Sequence, residues 1–207
     1  MKKKLLIVGI VLVGIVALVL ILLPQILSWI GFHPAYDRAE YDLEGRRALI
    51  IATNHDTLGD TGEATGVYGS ELTIAYYEFL DAGMTVDLAS IEGGEIPFEP
   101  VSLRYPLASH ADRRYLDDED AQNKTQNSLS IEDVNFLDYD IIWMAGGWGA
   151  AYDLGYSEVL GEKISEAHAE GILLGSVCHG ALGFLMATDV DGSPLVEGRT
   201  MTAVTDK

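Results

Sequence analysis

The chain opens with an unbroken apolar run over residues 5–23, nineteen positions without a charge. At about 1.5 Å per residue, a helix of that length crosses the roughly 30 Å hydrocarbon core of a bilayer. Beyond it the pattern changes to short apolar runs separated by polar stretches. Residues 48–52, Ala-Leu-Ile-Ile-Ala, form a continuous apolar run of the kind expected of a strand buried on both faces. Residues 53–69 are crowded with Gly, Thr, Asp and Asn and predict a loop. Over 71–81, Leu72, Ala75, Tyr76 and Phe79 recur at helical spacing, and Gly83 follows as a stop. A second strand over 85–90 completes a β-α-β unit. Residues 91–133 break into Gly, Pro and charge-rich sequence, expected as an insertion with short helices. A third strand at 139–145 runs into Gly146-Gly147-Trp148-Gly149, a helix over 157–170 is closed by Gly171, and 172–177 is a fourth strand.

Strands alternating with helices predict an α/β fold, a parallel sheet with helices on both faces. In such sheets ligands bind beyond the carboxyl ends of the strands. The 53–69 loop, the Gly146 to Gly149 loop and Cys178 are all expected at that end. The division predicted is an N-terminal anchor at 1–31, a linker at 32–46 and one α/β domain at 47–207.

Lys2, Lys3 and Lys4 precede the apolar run, and no small-residue cleavage pattern follows Leu23. These features favour an uncleaved signal anchor over a cleavable signal peptide, with Trp29 at the interface, the N-terminus in the cytoplasm and the domain across the membrane. All 32 acidic residues but only 10 of the 13 basic ones lie beyond this segment, a formal charge of −22. Nucleic acid is therefore not expected as a partner. Cys178 is the single cysteine, which excludes an intrachain disulfide and leaves a reactive thiol open. Asn123-Lys124-Thr125 fits a glycosylation sequon, a pattern common by chance.

The strand over 172–177 ends in Cys178-His179-Gly180, and 181–187 reads as helix. This has the form of a nucleophile elbow with cysteine in place of serine, a setting in which a helix N-terminus favours thiolate. A lone cysteine is more often inert packing, but its place directly after an apolar strand and before His-Gly shifts the balance toward function. Gly146-Gly147-Trp148-Gly149 would offer amides toward the same point, as an oxyanion hole requires; a tight turn accounts for the glycines equally well. Glu71, taken alone, reads as a first-turn charge. His55, Asp56 and Asp60 share one polar loop, but their spacing matches no established metal site, and solvated loop residues are expected there.

Taken in order, Thr65 to Glu71, Phe79 to Gly83, Val86 to Ser90, Ala145 to Gly149, Val177 to Gly180 and Gly192 to Gly198 resemble the DJ-1/PfpI superfamily, in its branch of heat-shock chaperones and glutathione-independent glyoxalases. The resemblance runs from Ala48 to the end. It implies a parallel-sheet α/β sandwich, flavodoxin-like and of the class I glutamine amidotransferase type. It also implies Cys178 as nucleophile, His179 as its partner, Glu71 as a carboxyl group on the thiol, and Gly147 with the His179 amide as oxyanion hole. The activity implied is conversion of 2-oxoaldehydes to 2-hydroxy acids; a hydrolase or amidase, or a non-catalytic chaperone or thiol sensor, are the alternatives. Dimers are common in the superfamily, which allows a homodimer.

Two departures from the resemblance stand out. Trp148 replaces the histidine of the usual Gly-His-Gly in the pocket. The carboxylate that orients the histidine in relatives lies a few residues beyond Val204-Thr205-Asp206, followed by further sheet and helix; the expectation is either a domain truncated at its C-terminus or a triad without its usual acid and a sheet without an edge, with Asp206 as the candidate stand-in.

Overall fold

A computed structural model describes residues 2–31 and 41–201. The N-terminal helix and the α/β domain are separate compact units. Helix α1 (Lys2–Trp29) carries the apolar run and continues through Pro24. Its apolar stretch of 24 residues, Leu6–Trp29, is about 36 Å long at 1.5 Å per residue, and its side chains are exposed almost throughout.

The domain is built on five parallel strands in the order β3-β2-β1-β4-β5: β1 (Arg47–Ala52), β2 (Thr85–Ser90), β3 (Leu129–Ser130), β4 (Ile141–Met144) and β5 (Leu173–Ser176). Strand β1 is central, paired with β2 from Ala48↔Val86 to Ala52↔Ser90 and with β4 from Ala48↔Ile141 to Ile51↔Met144. Its side chains divide between two cores, with Leu49 and Ile51 on one face and Ala48, Ile50 and Ala52 on the other. Burial of both faces is why its sequence shows no polar alternation.

Helices α2 (Gly69–Asp81), α3 (His110–Leu116) and α4 (Glu119–Gln126) cover one face, where Leu72, Tyr76, Tyr115 and Ala121 pack on Ile50, Val86 and Leu88. On the other face, Leu160, Ile164 and Ala167 of α6 (Glu158–Ala169) meet Leu49, Ile51, Ile142 and Met144. Ser157 caps α6 by accepting from the Leu160 amide, an arrangement typically worth about 1 kcal/mol.

The expected alternation of strands and helices is observed, with shifts of a residue or two at the ends. The 91–133 insertion holds α3 and α4 as expected, together with β3, whose two residues carry no readable pattern. Thr125 of the sequon is buried, and its hydroxyl is engaged with Tyr115 and the Gln122 carbonyl, so in the folded domain this threonine serves packing. The largest difference follows Cys178. Residues Cys178–Phe184 form a 3-10 helix in place of the α-helix expected over 181–187. The cause is close approach to β4: a Cβ on Gly180 would enter the Met144 carbonyl and one on Gly183 the Met144 sulfur, and two glycines weaken α-helical preference further. Before β1, Leu43 packs on the core and its amide donates to the Ala82 carbonyl at 2.7 Å.

Candidate active site

Cys178 sits where β5 turns into the 3-10 helix, and its φ of 53° is the one left-handed backbone conformation among the described non-glycine residues. Such a conformation costs an L-residue roughly 1–2 kcal/mol and lifts the side chain off the strand end, as an elbow does. The Val177 amide donates to the Met144 carbonyl at 3.1 Å and the Gly180 amide to the Val177 carbonyl at 2.9 Å, which holds both sides of the turn. The sulfur lies 3.3 Å from Nδ1 of His179. The amides of His179 and Gly147 also face it, so two donors converge on one point beyond the sheet.

Glu71 reaches the same point from the first turn of α2. Its Oε2 is sealed from solvent without a well-formed hydrogen-bond partner. Burial therefore pushes the carboxyl group above its ordinary value, offset in part by the Cys178 thiol and the amides of Gly146 and Gly147 facing it. The thiol is pushed up as well, first by burial and then by the Glu71 charge, against the lowering effect of the His179 and Gly147 amides. The expectation that a helix start would favour thiolate is thus corrected. A short 3-10 helix aligns few peptide dipoles, and burial of the thiol, followed by the Glu71 charge, acts in the opposite direction. Two adjacent acids with raised values hold at least one proton between them near neutral pH.

The Gly146-Gly147-Trp148-Gly149 loop is fixed by contacts that leave no room for side chains. A Cβ on Gly146 would lie 2.5 Å from Glu71 Oε2 and 2.7 Å from the His179 amide nitrogen. Gly147, at φ 92°, packs on the Gly66 carbonyl and the Tyr68 amide. Gly149 donates to the Gly66 carbonyl at 3.2 Å and packs on Thr53 and the His55 carbonyl. Trp148 between them projects outward, its ring centroid 4.8 Å from that of His179 with a 40° tilt.

Asp153, which the sequence reading did not single out, anchors this loop from below. It ends α5 (Ala150–Asp153), and its Oδ2 accepts from the Thr53 hydroxyl at 2.8 Å and the Asn54 amide at 2.9 Å. The strand-end loop after β1 is thereby tied to the loop that carries Gly147. Burial pushes the Asp153 carboxyl group up despite these bonds. A helix of four residues has no periodicity to flag it; its position just after a glycine-rich strand end was the available signal.

The residues weighed for metal are dispersed. His55 stacks on Tyr152 at 4.2 Å, Asp56 accepts from the Thr57 hydroxyl, and Asp60 lies in a 3-10 turn, Gly59–Thr61. Asp206 falls outside the described residues.

Residues 63–206 match the DJ-1/PfpI family. The chain belongs to that family. The glutathione-independent glyoxalase hsp3102 of Schizosaccharomyces pombe is 30% identical to it over 161 residues, 76% of this chain and 65% of the relative. The glutathione-independent glyoxalase HSP31 of Saccharomyces cerevisiae is 30% identical over 76% of this chain and 68% of its own length. The chain thus spans about two thirds of the curated relatives it matches. Among solved structures, the Rapid Encystment Protein of Francisella tularensis superposes with a TM-score of 0.68 at 33% identity, over 73% of this chain and 66% of that one. Glyoxalase III of Candida albicans superposes with a TM-score of 0.70 at 24% identity, over 78% and 69%, a likeness of fold.

Proposed function

We propose that this chain is a cysteine-dependent, glutathione-independent glyoxalase that converts 2-oxoaldehydes to 2-hydroxy acids. The observation that carries the reading is the convergence on the Cys178 sulfur of His179 Nδ1, the Glu71 carboxyl group and the amides of Gly147 and His179. Relatives bearing the glyoxalase name support it.

In this reading the thiol gives its proton to His179, and the sulfur attacks the aldehyde carbon. As the S–C bond forms, the carbonyl π pair moves onto oxygen, which the Gly147 and His179 amides stabilise before it is protonated to a hemithioacetal. Glu71 or His179 removes the proton on that carbon to give an enediol and returns a proton to the neighbouring carbon, leaving a thioester. Water then releases the 2-hydroxy acid and regenerates the thiol, so the net change is addition of one water. A buried carboxyl group held above its ordinary value suits a group that must both accept and donate.

Residues 1–31 serve as a membrane anchor, 32–46 as its linker and 47–207 as the enzymatic domain. The three N-terminal lysines put the N-terminus in the cytoplasm and the domain beyond the membrane. The small-molecule substrate is met by a monomer or a homodimer without metal or organic cofactor.

The test is lactate formation from methylglyoxal without glutathione, by the full chain in detergent. Wild type should form lactate, while Cys178→Ser and Glu71→Gln should each fall by at least about 10²-fold. Equal rates in wild type and Cys178→Ser would overturn the reading.

A further inference from the structure

Trp148 is a large apolar side chain tilted against the His179 ring, and it is 55% exposed. Its exposure is built in. Gly147 and Gly149 on either side are buried against Gly66, Tyr68, Thr53 and His55 with no room for a Cβ, and the Trp148 carbonyl accepts from the Ala151 amide at 3.1 Å. The backbone is pinned, and the indole rests on the His179 ring at a centroid distance of 4.8 Å while much of its surface remains open. His179 Nδ1 is in turn 3.3 Å from the sulfur, so the His179 ring connects the indole to the thiol.

The surroundings select by charge as well as shape. The charged group acting on the sulfur is an acid, Glu71, and the chain carries a net charge of −19. An anionic substituent on the substrate would meet repulsion from the Glu71 charge. On the same loop, Tyr152 is 41% exposed and stacks on His55. Leu185, beyond the elbow, is 55% exposed and packs over Gly155.

We propose that Trp148 is a specificity-determining residue whose exposed indole face receives an uncharged aryl substituent carried by the carbonyl substrate. For the reaction itself this rests on the glyoxalase reading, under which aryl-substituted 2-oxoaldehydes are preferred to methylglyoxal. Offset stacking between aromatic rings gives a selectivity of about 10-fold.

The aryl site is tested without turnover. Rates of Cys178 alkylation by iodoacetamide and by N-phenyliodoacetamide are compared for the full chain in detergent, with free cysteine in the same detergent as the reference for intrinsic reactivity. Wild type should favour the phenyl reagent about 10-fold more than free cysteine does. Trp148→Phe should keep most of that preference, and Trp148→Ala should lose it. A wild-type ratio equal to the reference, or one unchanged in Trp148→Ala, overturns the proposal. Lactate formation from methylglyoxal, measured alongside, judges the glyoxalase reading separately, since the alkylation ratio does not depend on it.

Discussion

The two flanks of the elbow are built to different tolerances. On the β1 and β4 side, Gly146, Gly147 and Gly149 lie against Glu71, Gly66, Tyr68, Thr53 and His55 with no space for a methyl group, and Asp153 ties the two loops together. On the β5 side, Leu173 is 63% exposed and the rest of the strand is half-buried. A cavity of about 370 Å³ there is lined by His168, Ser176, Phe184, Leu195, Arg199 and others. That flank is held by side chains, with Arg199 bonded to the Leu195 carbonyl, His168 and Asp189. The difference shows where the chemistry demands accuracy. The packed flank supplies the Glu71 carboxyl group and the Gly147 amide to the sulfur, beside the His179 ring and amide of the elbow itself, and there a few tenths of an ångström matter.

The strongest way to break this contrast is Gly146→Ala, which places a methyl group 2.5 Å from Glu71 Oε2. We expect a loss of about 10²-fold in kcat/KM and destabilisation by about 1–3 kcal/mol, read from lactate formation and thermal unfolding in detergent. Near-wild-type turnover would mean that the packed flank has slack after all.

Glu71→Gln sharpens the same contrast electrostatically. The Glu71 charge helps to raise the thiol, and a higher thiol value means less thiolate at a given pH. Removing the charge should therefore move the midpoint of the alkylation rate against pH downward, even as turnover falls by about 10²-fold or more. An unmoved or upward midpoint would leave burial alone as the cause.

The smallest effect is expected on the open flank. Leu173→Lys adds a charge at an exposed position and should change stability by no more than about 0.5 kcal/mol with turnover unchanged. A large loss there would show that the β5 edge takes part in the site.

Much of the framework was legible along the chain. Residues 48–52 read as a doubly buried strand, because five apolar residues in a row leave no solvent face, and the structure divides them between two cores. The helix over 71–81 and the strand over 85–90 followed from periodicity and a glycine stop. The 3-10 geometry after Cys178 was not legible, since it depends on how closely Gly180 and Gly183 approach Met144, more than 30 positions earlier. Glu71 shows the same limit: local rules gave it a first-turn charge, whereas the fold turns it inward onto the sulfur.

The sequence by itself determined the parallel α/β framework, the apolar N-terminal helix and the placement of a single cysteine at a strand end, because these depend on local periodicity, run length and residue type. Only the tertiary structure decided that the thiol is raised rather than lowered, that Asp153 anchors the Gly147 loop, and that Trp148 stays exposed against His179. Each depends on groups from separate strands and helices meeting within a few ångströms, and burial and charge act at that distance regardless of separation along the chain.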